Sequence, residues 1–519
     1  KDNNSQTRQF PLTLNPQTNL THPEEIIALH KSYIDAGCDI INANTFGANP
    51  LKFDGKNLPD FEKIIKAAME NARAACSEAE GKKVYAALDI GPLGKLLKPL
   101  GTLAFEDAVS AFAKMVRIGA QNGADLVLIE TMNDSYETKA AVLAAKENCD
   151  LPVFVTNAYD ESGKLMTGAT PAAMAALLEG LGADAIGMNC GLGPKQMKKI
   201  LPELIKYSSV PVIVTPNAGL PKMRGGVTVY DVDPEEFAED MAEIAEMGAS
   251  MLGGCCGTTP EHMRRMIERT RGFVPAAVSK KEFTMVSSYT HAVVFDKKPL
   301  LIGERINPTG KKRFKEALRE HNLDYILNEG ISQQEHGADI LDVNVGLPEI
   351  DEPEMLCECI ERLQGVTNLP LQIDTSDFGA MERAMRIYNG KPMVNSVNGK
   401  AESMENIFPL VKKYGGVVVA LTLDESGIPN TPEGRAKIAE KIYKTAAKYG
   451  IEKKDIVVDT LVMTVSSDKN AASTTLDTLK IIKKDFGGKT SLGVSNVSFG
   501  LPNREFINSA FFAMALESG

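Results

Sequence analysis

The chain has 519 residues, 43% of them hydrophobic and 24% charged, with a formal net charge of −11. That composition excludes disorder, and an acidic chain repels phosphate backbones, so no nucleic-acid partner is expected. No apolar run approaches the ~20 residues that cross a bilayer, so no membrane partner is expected, and the polar start KDNNSQTRQF is no signal peptide.

Along the chain one pattern recurs: a short apolar β-branched run, a turn, then an amphipathic helix rich in Ala, Glu and Lys. Strands are expected at 39–44, 84–90, 126–131, 153–157, 185–189, 212–216 and 250–254, and again at 300–306, 340–344, 371–374, 393–396, 417–422, 456–459 and 492–495. Strands alternating with helices predict parallel sheets, and runs apolar on both faces predict sheets covered on both sides. Polar residues close many of the runs: Asn44, Asp89, Glu130, Asn189, Asn217, Asp342, Asn344, Asp374, Asn395, Asp459 and Asn496. A (β/α)8 barrel places its chemistry at those ends. The fold class expected is therefore α/β, with two (β/α)8 TIM barrels in tandem joined by a short linker.

The first barrel is read as 1–272, the linker as 273–299 with one short hairpin, and the second barrel as 300–519. The first barrel lacks a recognisable opening strand, and an eighth strand is still owed after MALESG. With Lys rather than Met at the start, the chain reads as a piece of a longer protein, its second barrel truncated at the C-terminus.

Eight cysteines are too few for a disulfide scaffold of this length, and reduced thiols in the cytoplasm are expected. Cys38, Cys76, Cys149, Cys357 and Cys359 read as small buried apolar residues. Cys190 in NCGLGP and Cys255 and Cys256 in GGCCGTTPEH stand instead at strand ends among glycines. Three thiolates around Zn²⁺ leave one tetrahedral position open, the mark of a catalytic site. No further Cys or His stands at a neighbouring strand end, so the fourth ligand is either exogenous or a weak local one, Asn217. Three thiolates outweigh the metal's charge, which suits activation of a substrate thiol for S-alkylation and not hydrolysis.

NCGLGP, TPNAG and GGCCGTTPEH together resemble the homocysteine methyltransferase domain, with INANTFGAN (41–49) and LDIGPLG (88–94) similar to its early strand-end loops. IGERINPTG (302–310), LDVNVG (341–346), IDTSD (373–377), VNSVNG (394–399) and GVSNVSFGLPNRE (493–505) resemble a pterin-binding methyltransferase domain. In this order the two resemble the N-terminal half of the cobalamin-dependent methionine synthases, over essentially the whole chain. The resemblance implies methyl transfer from 5-methyltetrahydrofolate, through methylcobalamin, to zinc-activated homocysteine, with homocysteine near Glu130, Asn189, Asn44 and Gly254. The family's L-D-G-x-x-G-T loop is not found, which puts part of that pocket in doubt. The cobalamin-ligating D-x-H-x-x-G motif is not found either, so the corrinoid is expected on a module in cis or trans.

A pterin presents an amide–guanidine-like edge, which carboxylates recognise by paired hydrogen bonds. Asp374, Asp459 and Asn395 are the candidates for that edge, and Asp342 and Asn344 for the substrate or ordered water. The resemblance places Asn496 near N5, where it would support the protonated amine from which the methyl leaves. Three other functions stay open: a betaine or S-methyl-donor enzyme fused to a pterin synthase, a corrinoid-dependent methyltransferase acting on another thiol, and a zinc-stabilised folate-binding protein without turnover.

Overall fold

The computed structural model describes residues 15–53, 58–224, 226–275, 277–296 and 298–519. Eighteen strands are present among them. In chain order they are β1 (Ile40–Asn42), β2 (Tyr85–Ile90), β3 (Leu126–Met132), β4 (Val153–Asn157), β5 (Ala185–Asn189), β6 (Val212–Thr215), β7 (Lys222–Arg224), β8 (Val227–Val229), β9 (Met251–Leu252), β10 (Met285–Ser287), β11 (Ala292–Val294), β12 (Ile302–Ile306), β13 (Ile340–Val343), β14 (Leu371–Asp374), β15 (Met393–Asn398), β16 (Val417–Leu421), β17 (Ile456–Asp459) and β18 (Lys489–Ser491).

Two seven-stranded parallel sheets follow chain order, β1-β2-β3-β4-β5-β6-β9 and β12 through β18. Parallel neighbours joined by helices wind one way only, so each sheet curls as an α/β barrel does. The two expected barrel domains are thus present in tandem. Inner strands are covered on both faces: all five residues of β5 and five of the six in β2 are buried. Several helices start on side-chain caps. Asp134 accepts from Tyr136 N, Thr170 from Ala173 N, Asp377 from Ala380 N, and Asp233 from Glu235 N and Glu236 N.

One predicted strand is displaced. The run 492–495 is not extended; the last strand is Lys489–Ser491, and Val494–Ser498 forms a 3₁₀ turn. The polar KTS triplet takes the pairing because it continues the register of β17, with Asp459 opposite Ser491. The antiparallel hairpin β7–β8 was not anticipated.

Two compact units emerge. One holds the chain up to Ser162 with Ala183–Ile205 and Val210–Ala277; the other holds Gly163–Gly182, Lys206–Ser209 and Val278–Gly519. In the second, the expected hairpin is β10–β11. Its Val286 lies in one buried cluster with Ile340, Met393, Val417 and Val457. These residues begin or nearly begin their strands, so the hairpin covers the N-terminal end of the sheet and leaves the C-terminal end for chemistry.

Candidate active sites

In the first unit, β5 and β9 run out into the loops that carry the cysteines. Cys190 Sγ lies 3.8 Å from Cys256 Sγ, Cys255 Sγ lies 4.0 Å from Cys256 Sγ, and all three sulfurs fall within 4.8 Å of one another. Tetrahedral Zn–S bonds of about 2.3 Å place sulfurs about 3.8 Å apart, so the trio fits a zinc ion. Among the described residues it is the one Cys/His/Asp/Glu cluster with such geometry. All eight cysteines are free thiols.

The backbone is contorted to achieve this. Cys190 sits at φ +56°, a left-handed conformation that costs a side chain free energy and that Gly191 continues. Gly254 is irreplaceable in shape: a Cβ there would stand 2.6 Å from the Thr258 side chain and 2.7 Å from Met263 Cε. Gly257 (φ +81°) lies under Tyr230, whose hydroxyl hydrogen-bonds Cys256. His262 of the cysteine motif is turned to structural use. Its Nδ1 accepts from Thr259 N at 3.2 Å and its Nε2 donates to Val232 O at 3.0 Å. Thiol hydrogen bonds from Cys190 and Cys255 hold Cys256 well below the usual thiol range, while contacts with Cys190 and Cys256 push Cys255 up.

Asn217 and Asn189 brace the trio. Asn217 Oδ1 accepts from Cys256 N at 3.0 Å. Asn189 is fully buried and engaged throughout: its Oδ1 accepts from Thr131 N (2.9 Å), and its Nδ2 donates to Thr131 Oγ1 (2.7 Å) and faces Cys255 Sγ (4.0 Å). It thereby fixes Thr131, at φ +59°, directly after Glu130.

Beside the thiols stands a carboxylate pair. Burial, then the Cys256 charge, raises Glu130 to about 7; burial, then Glu130, raises Asp89 well above the carboxylate range. Asp89 Oδ1 and Asn44 Nδ2 are buried with no protein partner, and Asn42 Nδ2 reaches Glu130 at 3.5 Å. Buried polar atoms left open at a strand end are what an amino-acid ligand would satisfy. Asp89 was visible in the sequence as a strand-end residue but carried no role there.

In the second unit Asp342, Asn344 and Asp374 meet. Asn344 Nδ2 donates to Asp374 Oδ2 at 3.0 Å, and its Oδ1 accepts from Gly346 N at 2.9 Å. Burial, then the Asp374 charge, pushes Asp342 well above the carboxylate range, and burial raises Asp374 too. The two carboxyls are thus in contact, and protonation is favoured most at Asp342. Gln372 Nε2 donates to Asp342 Oδ1, while its own Oε1 is buried without a partner. Sequence reading passed over Gln372, although it stands two residues before Asp374 and so shares its face of the strand.

Asn395 lies opposite Asp374 in the strand register. Asp459 ends β17; burial raises it to about 6, opposed by a hydrogen bond from Leu461 N (2.8 Å) and by the Arg435 charge. Asn496 is exposed in the 3₁₀ turn. Neither Asp459 nor Asn496 is hydrogen-bonded to the Asp342 network among the described residues.

The profile of homocysteine S-methyltransferases matches residues 3–270, and that of pterin-binding enzymes matches residues 303–519. Methionine synthases of Mycobacterium leprae and Mycobacterium tuberculosis are 32% and 31% identical to the chain over 530 and 525 residues. Each alignment covers 96% of this chain and 44% of the relative, so the chain spans under half the length of these relatives. Among solved structures, the metallated form of the homocysteine methyltransferase MmuM from Escherichia coli is 22% identical, with a TM-score of 0.42, covering 49% of this chain and 87% of that one. No described helix is long and apolar enough to cross a membrane. The chain belongs to the homocysteine S-methyltransferase family, joined here to a region that matches pterin-binding enzymes.

Proposed function

We propose that this chain carries the two substrate sites of a methionine synthase: methyl transfer from 5-methyltetrahydrofolate to homocysteine, giving methionine and tetrahydrofolate. The observation that carries the reading is the trio Cys190, Cys255 and Cys256, spaced for zinc and bordered by buried carboxylates. We assign thiol activation to residues 1–272 and pterin binding to residues 300–519, with 273–299 between them. A cobalamin module outside these residues, in cis or in trans, is the proposed methyl carrier. Eight free thiols suit a reducing cytoplasm.

Zn²⁺ held by the three thiolates supplies the positive charge that lets a substrate thiol lose its proton at neutral pH. The chain's own residues do the rest. Glu130 and Asp89 offer one anionic carboxylate to the ammonium of homocysteine, and Asn44 Nδ2 offers a donor to its carboxylate. Gly254 lets the chain pass close to Thr258 and Met263, and we place homocysteine beside its backbone. Asn189, Asn217 and Tyr230 hold the cysteine loops in place, and we keep Asn217 as the weak fourth ligand when no substrate thiol is bound. In the second site, Asp374, Asp459 and Asn395 accept from and donate to the pterin edge, while Asp342 and Asn344 fix Asp374. Asn496, on a turn open to solvent, would move over N5 and favour its protonated state, from which the methyl group departs as the N5 lone pair forms.

The test is demethylation of free methylcobalamin by the full chain with homocysteine, followed by absorbance, with and without a chelator. Zinc-dependent demethylation lost in Cys255→Ala supports the reading. Inactivity of a folded, zinc-loaded chain that uses betaine instead would replace it with the betaine-dependent alternative.

A further inference from the structure

Arg435, in the first turns of the helix Pro432–Lys448, is 2% exposed. A guanidinium taken out of water ordinarily demands a carboxylate. Here every hydrogen-bond partner is neutral. Nε donates to Pro429 O at 2.9 Å, and Nη1 reaches Thr460 O and Leu461 O, both at 2.7 Å, and Thr475 Oγ1 at 3.3 Å. The two carbonyls belong to the turn that leaves β17. Leu461 stands at φ +59° in that turn, a conformation unfavourable for a side chain that needs to be held. Held so, it delivers its N–H to Asp459 Oδ1 at 2.8 Å. From the other side, Thr422 N and Oγ1 donate to the Asp459 carbonyl at 3.2 and 3.1 Å. One carboxylate oxygen is thus held by Leu461 N, and the backbone that carries it is held by Thr422. Among the described residues its Oδ2 accepts no hydrogen bond.

The charge of Arg435 falls on Asp459 and, more weakly, on Asp468 in the loop beyond. Arg435 is in turn the charged group that acts on Asp459. We propose that Arg435 is a positioning residue of the pterin site, clamping the 460–461 turn and keeping Asp459 ionised so that its free oxygen accepts from the N–H edge of the ring. This rests on the folate reading of the second barrel. A guanidinium meets both requirements: Nη1 bonds the two turn carbonyls while Nε anchors on Pro429 O, and its charge is permanent.

The experiment measures binding of 5-methyltetrahydrofolate to the full chain by titration calorimetry from pH 5 to pH 8.5, for the native protein, Arg435→Gln and Arg435→Lys. Native affinity should fall as pH drops through about 6, where Asp459 takes up its proton. The Asp342–Asp374 pair titrates alike in all three chains and cancels in the comparison. Gln can still donate to a carbonyl but carries no charge, so the half-loss point should rise by about one pH unit. Lys keeps the charge but loses the second anchor on Pro429 O; it should hold the native half-loss point while weakening binding by a similar factor at every pH. If Gln weakens binding equally at every pH, Arg435 is a structural clamp alone and the proposal is overturned. A shifted half-loss point in the Lys variant overturns it as well, even if the Gln variant does not fold. A native chain that binds no folate at pH 8 removes the pterin reading itself, a result distinct from either.

Discussion

Replacing Asp459 by Asn should make the second unit more stable and less able to bind its ligand. Burial raises the folded Asp459 carboxyl to about 6 from an ordinary 3.8. Between those values the folded state binds more protons than the unfolded one. Stability therefore falls as pH rises through that window and stays reduced above it. About two units at 1.36 kcal/mol each would be about 3 kcal/mol; partial contact with solvent brings the expectation to about 2 kcal/mol. Asn has the same shape and still accepts from Leu461 N, so the variant removes the charge and little else. Urea unfolding of the full chain should show Asp459→Asn more stable by about 2 kcal/mol at pH 7.5, with the gain shrinking below about 1 kcal/mol at pH 4. Folate affinity should fall at least about tenfold, since a charge-assisted acceptor is lost. A gain that is absent, or equal at both pH values, would falsify the account of Asp459 as a buried charge kept for binding.

The other expectations concern the first unit. Each of Cys190→Ser, Cys255→Ser and Cys256→Ser should weaken zinc by more than about a hundredfold, whereas Asn217→Ala, which frees Cys256 N, should cost about tenfold; competition with a chromophoric chelator measures both. Equal losses for Asn217→Ala and the cysteine variants would make Asn217 a full ligand. Gly254→Ala forces a Cβ to within 2.6 Å of Thr258, whose hydroxyl donates to Cys255 O, and should destabilise the unit by about 1–3 kcal/mol in thermal unfolding. Glu130→Gln and Asp89→Asn should weaken homocysteine about tenfold yet leave 4-mercaptobutanoate, which lacks the ammonium, unaffected. Parallel losses for both ligands would show that the carboxylates act on the thiol site instead.

Thirteen of the fourteen expected barrel strands lie where apolar periodicity placed them, because a strand buried on both faces must be written in aliphatic residues. The exception, Lys489–Ser491, is an edge-like polar triplet held by register with β17, and the apolar 492–495 run beside it packs as a turn. The cysteine trio was legible because glycine must surround it. What escaped was whatever depends on three-dimensional convergence. Tyr230 reaches Cys256 from behind a hairpin that has no hydrophobic alternation to announce it. Arg435 is one basic residue among several on an amphipathic helix, and only its burial singles it out. Asn189, expected at the amino-acid end of the substrate, also sets the loop geometry through Thr131 and Cys255, which strand position alone does not announce.

The two mouths treat charge in opposite ways, and the difference fits their proposed ligands. In the first, three thiols and two carboxyls are gathered with no cationic side chain hydrogen-bonded to any of them among the described residues. Negative charge so concentrated favours proton uptake, the direction in which Asp89 and Glu130 are pushed, or cations accepted from outside. A divalent ion on the sulfurs and an ammonium on the carboxyls supply both. In the second, carboxyls are already partly answered from within: Asp374 by the Asn344 amide, Asp459 by the Leu461 N–H and the charge of Arg435. What remains there is hydrogen-bond acceptance without a large uncompensated charge, which suits a neutral, donor-rich ring. An amino acid in the second mouth would leave its ammonium facing carboxyls already satisfied, and a pterin in the first would leave the carboxyl pair short of a cation. On the proposed reading, discrimination between the two ligands would follow from how each barrel balances its strand-end acids, before any difference in pocket shape is considered.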